Sequence, residues 1–481
     1  MIFLAQVEQS VELRSLTIAG KAVTHGETRI VRSPWDGSAI AAVPVVGGAE
    51  TRAGIDAAAN AMNEPLLAHE RAEILDRAAS TIGSRREELA RLLAQEIGKP
   101  LKQGLVEVDR CVQTLTFSAI EARTLSGRGV AVDAHPAGKG HRGHTIRIPV
   151  GVVGAITPFN FPLNLAAHKI APAIAAGCGV VLKPASAAPL AAIELVGAFH
   201  EAGLPSGWLS IVSGPADEIG DVLVGDERVR LITFTGSAEV GWDLAARARK
   251  KRVKLELGNS TPLIVCADAD LDAAAEAAAV SGNGFAGQSC ISVQRVLVDE
   301  RVHYDFAARL VTAVEKLNVG NPEEPDTDVG PLIDDAARDR VADWTDQALS
   351  SGAEGLAGGT TERGHLLPTV LDGIPTNTRA WQREIFGPFL GLRRFATLDE
   401  AIALANGTEY GLQAGIFTSD LTTAIIASER LDFGGVTVNE APTFRVDQMP
   451  YGGVKASGNT REGPRYAVRD MTDERMVVIK V

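Results

Sequence analysis

Cys290 closes the string Gly287-Gln288-Ser289-Cys290, where a glycine-rich turn would leave its sulfur and its backbone N–H open at the start of an element. Upstream lie Glu256, in Leu255-Glu256-Leu257-Gly258, and Asn160, in Pro158-Phe159-Asn160-Phe161-Pro162. A thiol can attack the carbonyl carbon of an aldehyde. A side-chain amide beside a free backbone N–H can hold the oxyanion that follows, and a carboxylate can activate water to hydrolyse a thioester. An arbitrary cysteine is more often an inert small hydrophobe. Cys111, Cys178 and Cys266 sit in helix- or strand-patterned runs and read that way. The company of Glu256 and Asn160 sets Cys290 apart.

These groups need elements to hold them. Helical spacing predicts a helix from Glu70 to Leu93 and a second from Gln103 to Ser126. Two alternating runs around a glycine-rich tip, Gly127 to Asp133 and His144 to Pro149, predict a β-hairpin. From Val150 onward, short apolar strands alternate with alanine-rich helices: a strand opening at Val152, a helix from Leu163 to Ala176, and a strand from Val180 to Lys183. The rhythm continues with a helix from Ala188 to Ala202, strands at Leu209 and Leu231, and a helix from Gly236 to Ala248. It implies right-handed βαβ units and a parallel sheet. The pattern restarts after Gly258, which places a second α/β domain there.

A chain of 481 residues is too long for one core. Its net charge of −13 argues against nucleic acid or an anionic membrane as partner. The start, Met1 to Glu8, lacks a basic region and makes a poor leader. The four cysteines form no Cys-x-x-Cys pair, so a reducing cytoplasm is the simplest setting. His141 and His144 share a hairpin tip without further ligands, and no metal is expected. Gly282-Asn283-Gly284-Phe285-Ala286-Gly287 matches a dinucleotide fingerprint in letters, but a helix precedes it and a strand follows, the reverse of what a phosphate grip needs. Phe234-Thr235-Gly236-Ser237 has the right order, a strand running into a helix start.

The set Asn160, Glu256 and Cys290, with Thr235-Gly236-Ser237 between, resembles the aldehyde dehydrogenase superfamily from about Asn63 to the C-terminus, most closely its lactaldehyde and phosphonoacetaldehyde dehydrogenase-like branch. The resemblance implies an α/β protein with two parallel-sheet domains, a Rossmann-like cofactor domain and a catalytic domain, plus a small β oligomerisation hairpin. The cofactor domain would comprise residues 1–126 and 149–257 with a return at 441–470, the catalytic domain 258–440, and the oligomerisation elements 127–148 and 471–481. The cofactor implied is NAD or NADP. Gly236 and Ser237 would grip its pyrophosphate, Lys183 and Ser186 would meet the adenosine ribose, and Glu384 and Phe386 the nicotinamide ribose and ring. Thr157, Pro158, Gly214 and Gly258 complete that side. Ser186 stands where NAD-preferring relatives often carry an acid, which leaves the choice between the two cofactors open. Lys169 and Glu462 match a pair linked to proton relay.

For the substrate, the resemblance places Phe161, Asn164 and His168 on the tunnel face of one helix, Ser289 and Ile291 beside the thiol, and Arg110 and Arg445 near the tunnel. A polar tunnel with an arginine suits a short hydroxy-aldehyde or one with an anionic tail. Each arginine reads equally as half of a structural salt bridge. Glu256 favours hydrolysis over transfer of the acyl group to coenzyme A; an acylating semialdehyde dehydrogenase and a catalytically silent binding protein are the alternatives. The partner is then a small-molecule aldehyde. The hairpin and the run Arg475 to Val481, which has no partner nearby in sequence, predict pairing between subunits in a homodimer or homotetramer.

Overall fold

The computed structural model describes residues 11–361 and 363–481. The opening stretch Met1 to Glu8 lies outside them. Two mainly parallel sheets dominate. The first has five strands in the order Arg252–Glu256, Val229–Thr235, Val152–Ile156, Val180–Lys183, Leu209–Ile211, all parallel. Val152–Ile156 and Val180–Lys183 are buried at every residue, because helices cover both faces of a parallel sheet. The chain runs outward from Val152–Ile156 through two strands and returns to its other side at Val229–Thr235. The direction therefore switches between those two strands, where a crevice opens outside their carboxyl ends. Thr157 and Gly236 follow those ends directly.

The second sheet has seven strands: Glu354–Ala357, Thr369–Asp372, Phe389–Phe395, Val293–Asp299, Thr261–Val265, Gln413–Phe417, Gly435–Val438. Only the Glu354–Ala357 edge is antiparallel. The helix Asn164–Ala176 is buried at all 13 residues. Small alanines on every side let it thread the interior.

Two expectations need correction. The helix expected from Glu70 to Leu93 is two helices, Ala68–Ser84 and Arg86–Ile97, broken at Arg85 (φ −106°). Apolar periodicity runs straight across the break, so it carried no warning. Arg85 instead reaches Glu88 and, at 2.6 Å, Glu194 on a neighbouring helix. The C-terminal strand also has a partner within its own chain. Thr472–Lys480 pairs antiparallel with His141–Pro149, from Thr472 opposite Pro149 to Lys480 opposite His141. Gly129–Val130 flanks the far side of that strand, leaving Thr472–Lys480 at the sheet edge. Long-range pairing of this kind leaves no trace in local sequence.

Candidate active site

The carboxyl ends of the first sheet line a cleft of about 1230 Å³. Asn160, Glu256 and Cys290 all line it. Asn160 follows the strand Val152–Ile156, and Glu256 is the last residue of Arg252–Glu256. Cys290 lies in a turn rather than at the start of an element. Left-handed backbone at Phe285, Ala286 and Gly287 leads into that turn. A Cβ on Gly287 would collide with the carbonyl of Gly387, so this last glycine of the fingerprint-like string serves close packing.

Gln288 anchors the turn. Its side-chain amide donates to the carbonyls of Phe285 and Pro331, and its Oε1 accepts from Ile333 N–H. Its carbonyl accepts from Asn160 Nδ2 at 3.0 Å, which ties the amide to the thiol loop. Nδ2 keeps a second hydrogen for an oxyanion. Among the described residues the Cys290 N–H makes no backbone hydrogen bond.

Burial, then the nearby Glu256 carboxyl, pushes the Cys290 thiol well above its ordinary range. Glu256 is itself raised to about 8, by burial first and by Glu462 second. Neither of its oxygens has a hydrogen-bond partner of normal geometry among the described residues. The thiol therefore rests neutral, beside a carboxyl poised to exchange a proton near neutral pH.

Behind the cleft runs a buried charged network. Lys169 Nζ donates to Thr233 and Thr235 hydroxyls (3.2 and 2.7 Å) and lies 3.5 Å from Glu462. Burial would raise the Glu462 carboxyl, but Lys169 and Arg445 hold it down at about 2. Arg445 meets Glu462 at 2.9 Å and packs its guanidinium over the Tyr451 ring. Arg110 grips Asp447 through two nitrogens, and Asp447 also accepts from Asn164 Nδ2 and lies 2.9 Å from His168 Nε2. Burial and then Arg445 lower His168, so its ring is neutral at pH 7. The two arginines are thus paired with protein carboxylates, as the salt-bridge reading has it, and neither lines the cleft. Asn164, His168, Ser289 and Ile291 are off its lining too.

On the opposite wall, Ser237 caps the helix Ala238–Arg247 by accepting from Val240 N–H, and Ser237, Ala238 and Glu239 at that helix start line the cleft. A Cβ on Gly236 would meet the Phe234 ring at 2.6 Å, and one on Gly258 would strike the Glu384 carboxylate. Glu384 accepts from Asn259 N–H and is raised to about 7 by burial. Phe386 holds a left-handed φ of 50° to stand edge-on to Phe159, a strain of about 1–3 kcal/mol that its neighbours must sustain. Pro158, Gly236, Ser237, Gly258, Glu384 and Phe386 line the cleft. Thr157, Lys183, Ser186 and Gly214 lie off that lining at the ends of neighbouring strands, where the Ser186 hydroxyl donates to the Gly214 carbonyl at 3.3 Å. A helix N-terminus, close-approach glycines and a lone carboxylate fit a dinucleotide lying across the switch point.

The aldehyde dehydrogenase family profile matches residues 22–477. The chain belongs to the aldehyde dehydrogenase family. It is an oxidoreductase that oxidises an aldehyde with NAD or NADP. The 3-sulfolactaldehyde dehydrogenase of Priestia aryabhattai is 40% identical over 481 residues, the full length of both chains. Among solved structures, aldehyde dehydrogenase 21 of Physcomitrella patens, in complex with the reaction product succinate, is similar with a TM-score of 0.94 and 39% identity. The match covers 98% of this chain and 99% of that one. The glyceraldehyde-3-phosphate dehydrogenase GapN of Methanocaldococcus jannaschii, complexed with NADP, matches with a TM-score of 0.91 and 38% identity, covering 95% and 100%.

The aldehyde dehydrogenase site also contains residues that sequence reasoning missed. Tyr451 touches the thiol and Asp447 organises three side chains, those of Arg110, Asn164 and His168. Glu107 accepts from the N–H groups of Leu163 and Asn164, capping the central helix from another one, and its other oxygen meets Lys99. Lys99 in turn sits 3.6 Å from the centre of the Phe161 ring. Glu96 does the same for the N–H groups of Leu190 and Ala191. A buried acid in an otherwise apolar helix face is the one sequence signal that flags Glu96 and Glu107.

Proposed function

We propose that this aldehyde dehydrogenase oxidises a short polar aldehyde, bearing a hydroxyl or an anionic group, through a covalent adduct on Cys290. The observation that carries the proposal is the convergence of Cys290, Glu256 and Asn160 on one cleft. Glu256 takes the thiol proton. The sulfur attacks the carbonyl carbon, and Asn160 Nδ2–H with the Cys290 N–H holds the oxyanion. NAD(P)+ supplies the hydride acceptor; Gly236 and Ser237 would hold its pyrophosphate and Glu384 its nicotinamide-side ribose. Lys169 and Glu462 offer the thiol proton on Glu256 a path onward, and the carboxylate so restored then deprotonates the water that hydrolyses the Cys290 thioester.

The substrate class is supported by charge. Lys169, Arg110 and Arg445 are set against Glu462 and Asp447, so with Glu256 protonated the network carries one surplus positive charge. Arg110 bonds Asp447 through Nε and Nη2 and gives Nη1 to no described residue. The relative named for 3-sulfolactaldehyde acts on a short hydroxylated anion of this kind. We assign the first sheet to cofactor binding, the second to the nucleophile, and a cytoplasmic setting to the whole. No described helix is long and apolar enough to cross a membrane.

A panel of lactaldehyde, 3-sulfolactaldehyde, succinate semialdehyde, glycolaldehyde and benzaldehyde, read by NAD(P)H absorbance, tests the class. The hydroxylated and anionic members should lead in kcat/KM; a preference for benzaldehyde would overturn it. Cys290→Ser should silence the whole panel. Assembly is proposed through the open edge of Thr472–Lys480, where Met476, Val478, Ile479 and Val481 are exposed. Light scattering should report at least a dimer, weakened on deleting residues 475–481.

A further inference from the structure

Tyr451 is 2% exposed, and its hydroxyl lies 3.0 Å from Cys290 Sγ, its one hydrogen-bond partner among the described residues. The ring is fixed on every approach. Ile291 and Leu412 pack with it in one buried cluster. The backbone at Tyr451 pairs antiparallel with Glu462. The guanidinium of Arg445 lies 3.7 Å from the ring centre, and Arg445 is itself held by Glu462. Nothing in this arrangement is needed for packing alone: a phenylalanine would fill the same space without burying a hydroxyl.

We propose that Tyr451 is a catalytic residue whose hydroxyl donates a hydrogen bond to the Cys290 thiolate, with Arg445 on the ring face strengthening the donor. The proposal rests on Cys290 being the nucleophile and Glu256 its base. When Glu256 takes the proton, the S–H bond breaks, an O–H bond forms on the carboxyl and the electron pair stays on sulfur. At that moment the buried sulfur carries a charge that no cation touches directly. A phenol O–H pointed at it supplies the missing partner, and the cation over the ring draws electron density from the oxygen and makes it a better donor. Once the sulfur bonds to carbon its charge is gone and the hydrogen bond weakens. Tyr451 therefore raises the population of thiolate at some cost in its intrinsic reactivity.

That trade separates a catalytic hydroxyl from a structural one. The measurement is the rate of iodoacetamide alkylation of the cofactor-free enzyme against pH, with the modified cysteine located by mass spectrometry. In Tyr451→Phe the midpoint for Cys290 should rise by about one to two pH units, the worth of one hydrogen bond to a charged group. Below the midpoint alkylation should slow by roughly ten- to a hundredfold. On the high-pH plateau it should match or exceed the wild-type rate. An equal midpoint in both proteins, or one uniform loss at every pH, would overturn the role of Tyr451. Alkylation that spares Cys290 in the wild type would instead remove the nucleophile assignment on which the role rests. Should Tyr451→Phe fail to fold, as read by thermal melting, 3,5-difluorotyrosine at position 451 keeps the test open. Its stronger donor should lower the midpoint, and an unchanged midpoint there would overturn the proposal equally.

Discussion

The open lining of the cleft and the buried wall behind it keep their polar groups in opposite states. On the open wall, Gly236, Ser237 and Glu384 line open space, and what they offer is little used: N–H groups at a helix start and a carboxylate with one bond among the described residues. On the buried wall behind the cleft, Arg110, Asp447, His168, Asn164, Arg445, Glu462 and Lys169 are wired to one another inside the protein. The seam between the walls is where satisfaction fails. Six of the ten buried side-chain polar atoms without a partner belong to Thr157, Asn160, His168, Glu256 and Arg445, counted among the described residues. Buried polar atoms are normally paired, so a cluster of orphans marks where a guest or water completes the bonding. One wall waits for a ligand to satisfy it, and the other is rigid before any ligand arrives.

The largest effect should come from the seam. Glu256→Gln should lower steady-state turnover by roughly a thousandfold or more, as loss of a general base does. If Glu256 serves both steps, the burst of NAD(P)H should itself be slowed in a rapid-quench measurement; a full-rate burst of one NAD(P)H per site followed by a stall would restrict Glu256 to hydrolysis. The wild type should gain activity as pH rises through about 8, since the raised Glu256 carboxyl holds its proton below that value. The same shift means that the folded state binds this proton more tightly than the unfolded chain. Its contribution to stability is present below the ordinary carboxylate range and lost as pH rises through about 8.

The comparison between walls is sharpened by stability. Asp447→Ala strands Arg110 and exposes His168 and Asn164 to unmade bonds, so it should cost about 3–5 kcal/mol. Glu384→Gln on the open wall should leave stability within about 1 kcal/mol while weakening cofactor binding. Denaturant melts of both variants check this. Equal losses would erase the distinction between a prewired wall and an open one.

The smallest effect is the finest test of the open wall. Ser186→Glu should cut kcat/KM with NADP about tenfold relative to NAD, by setting a carboxylate against the 2′-phosphate. Parallel kinetics with both cofactors read it. An unchanged ratio would show that Ser186 does not face that position.

Much of the site was legible because its chemistry travels in short strings. Glu256 and Asn160 lie at the carboxyl end of a strand or in the loop that follows, which a βα rhythm announces in advance, while Cys290 closes a glycine-rich run between a helix and the next strand. Ser237 was readable for the same reason, since a strand, a glycine and a capping hydroxyl in that order demand a helix start. What stayed hidden depends on contacts between distant segments. Arg110 and Arg445 could have been anion receptors or salt bridges, and only the fold brings Asp447 and Glu462 to them across 337 and 17 residues. The break at Arg85 answers to Glu194 on another helix, and Thr472–Lys480 pairs with a strand more than 300 residues away. Tyr451 is one aromatic among many until the backbone pairing with Glu462 points its hydroxyl at Cys290. Local sequence sets propensity and which groups are on offer. Which charges find each other is decided by loop closure and packing over the whole chain, and no window of sequence contains that information.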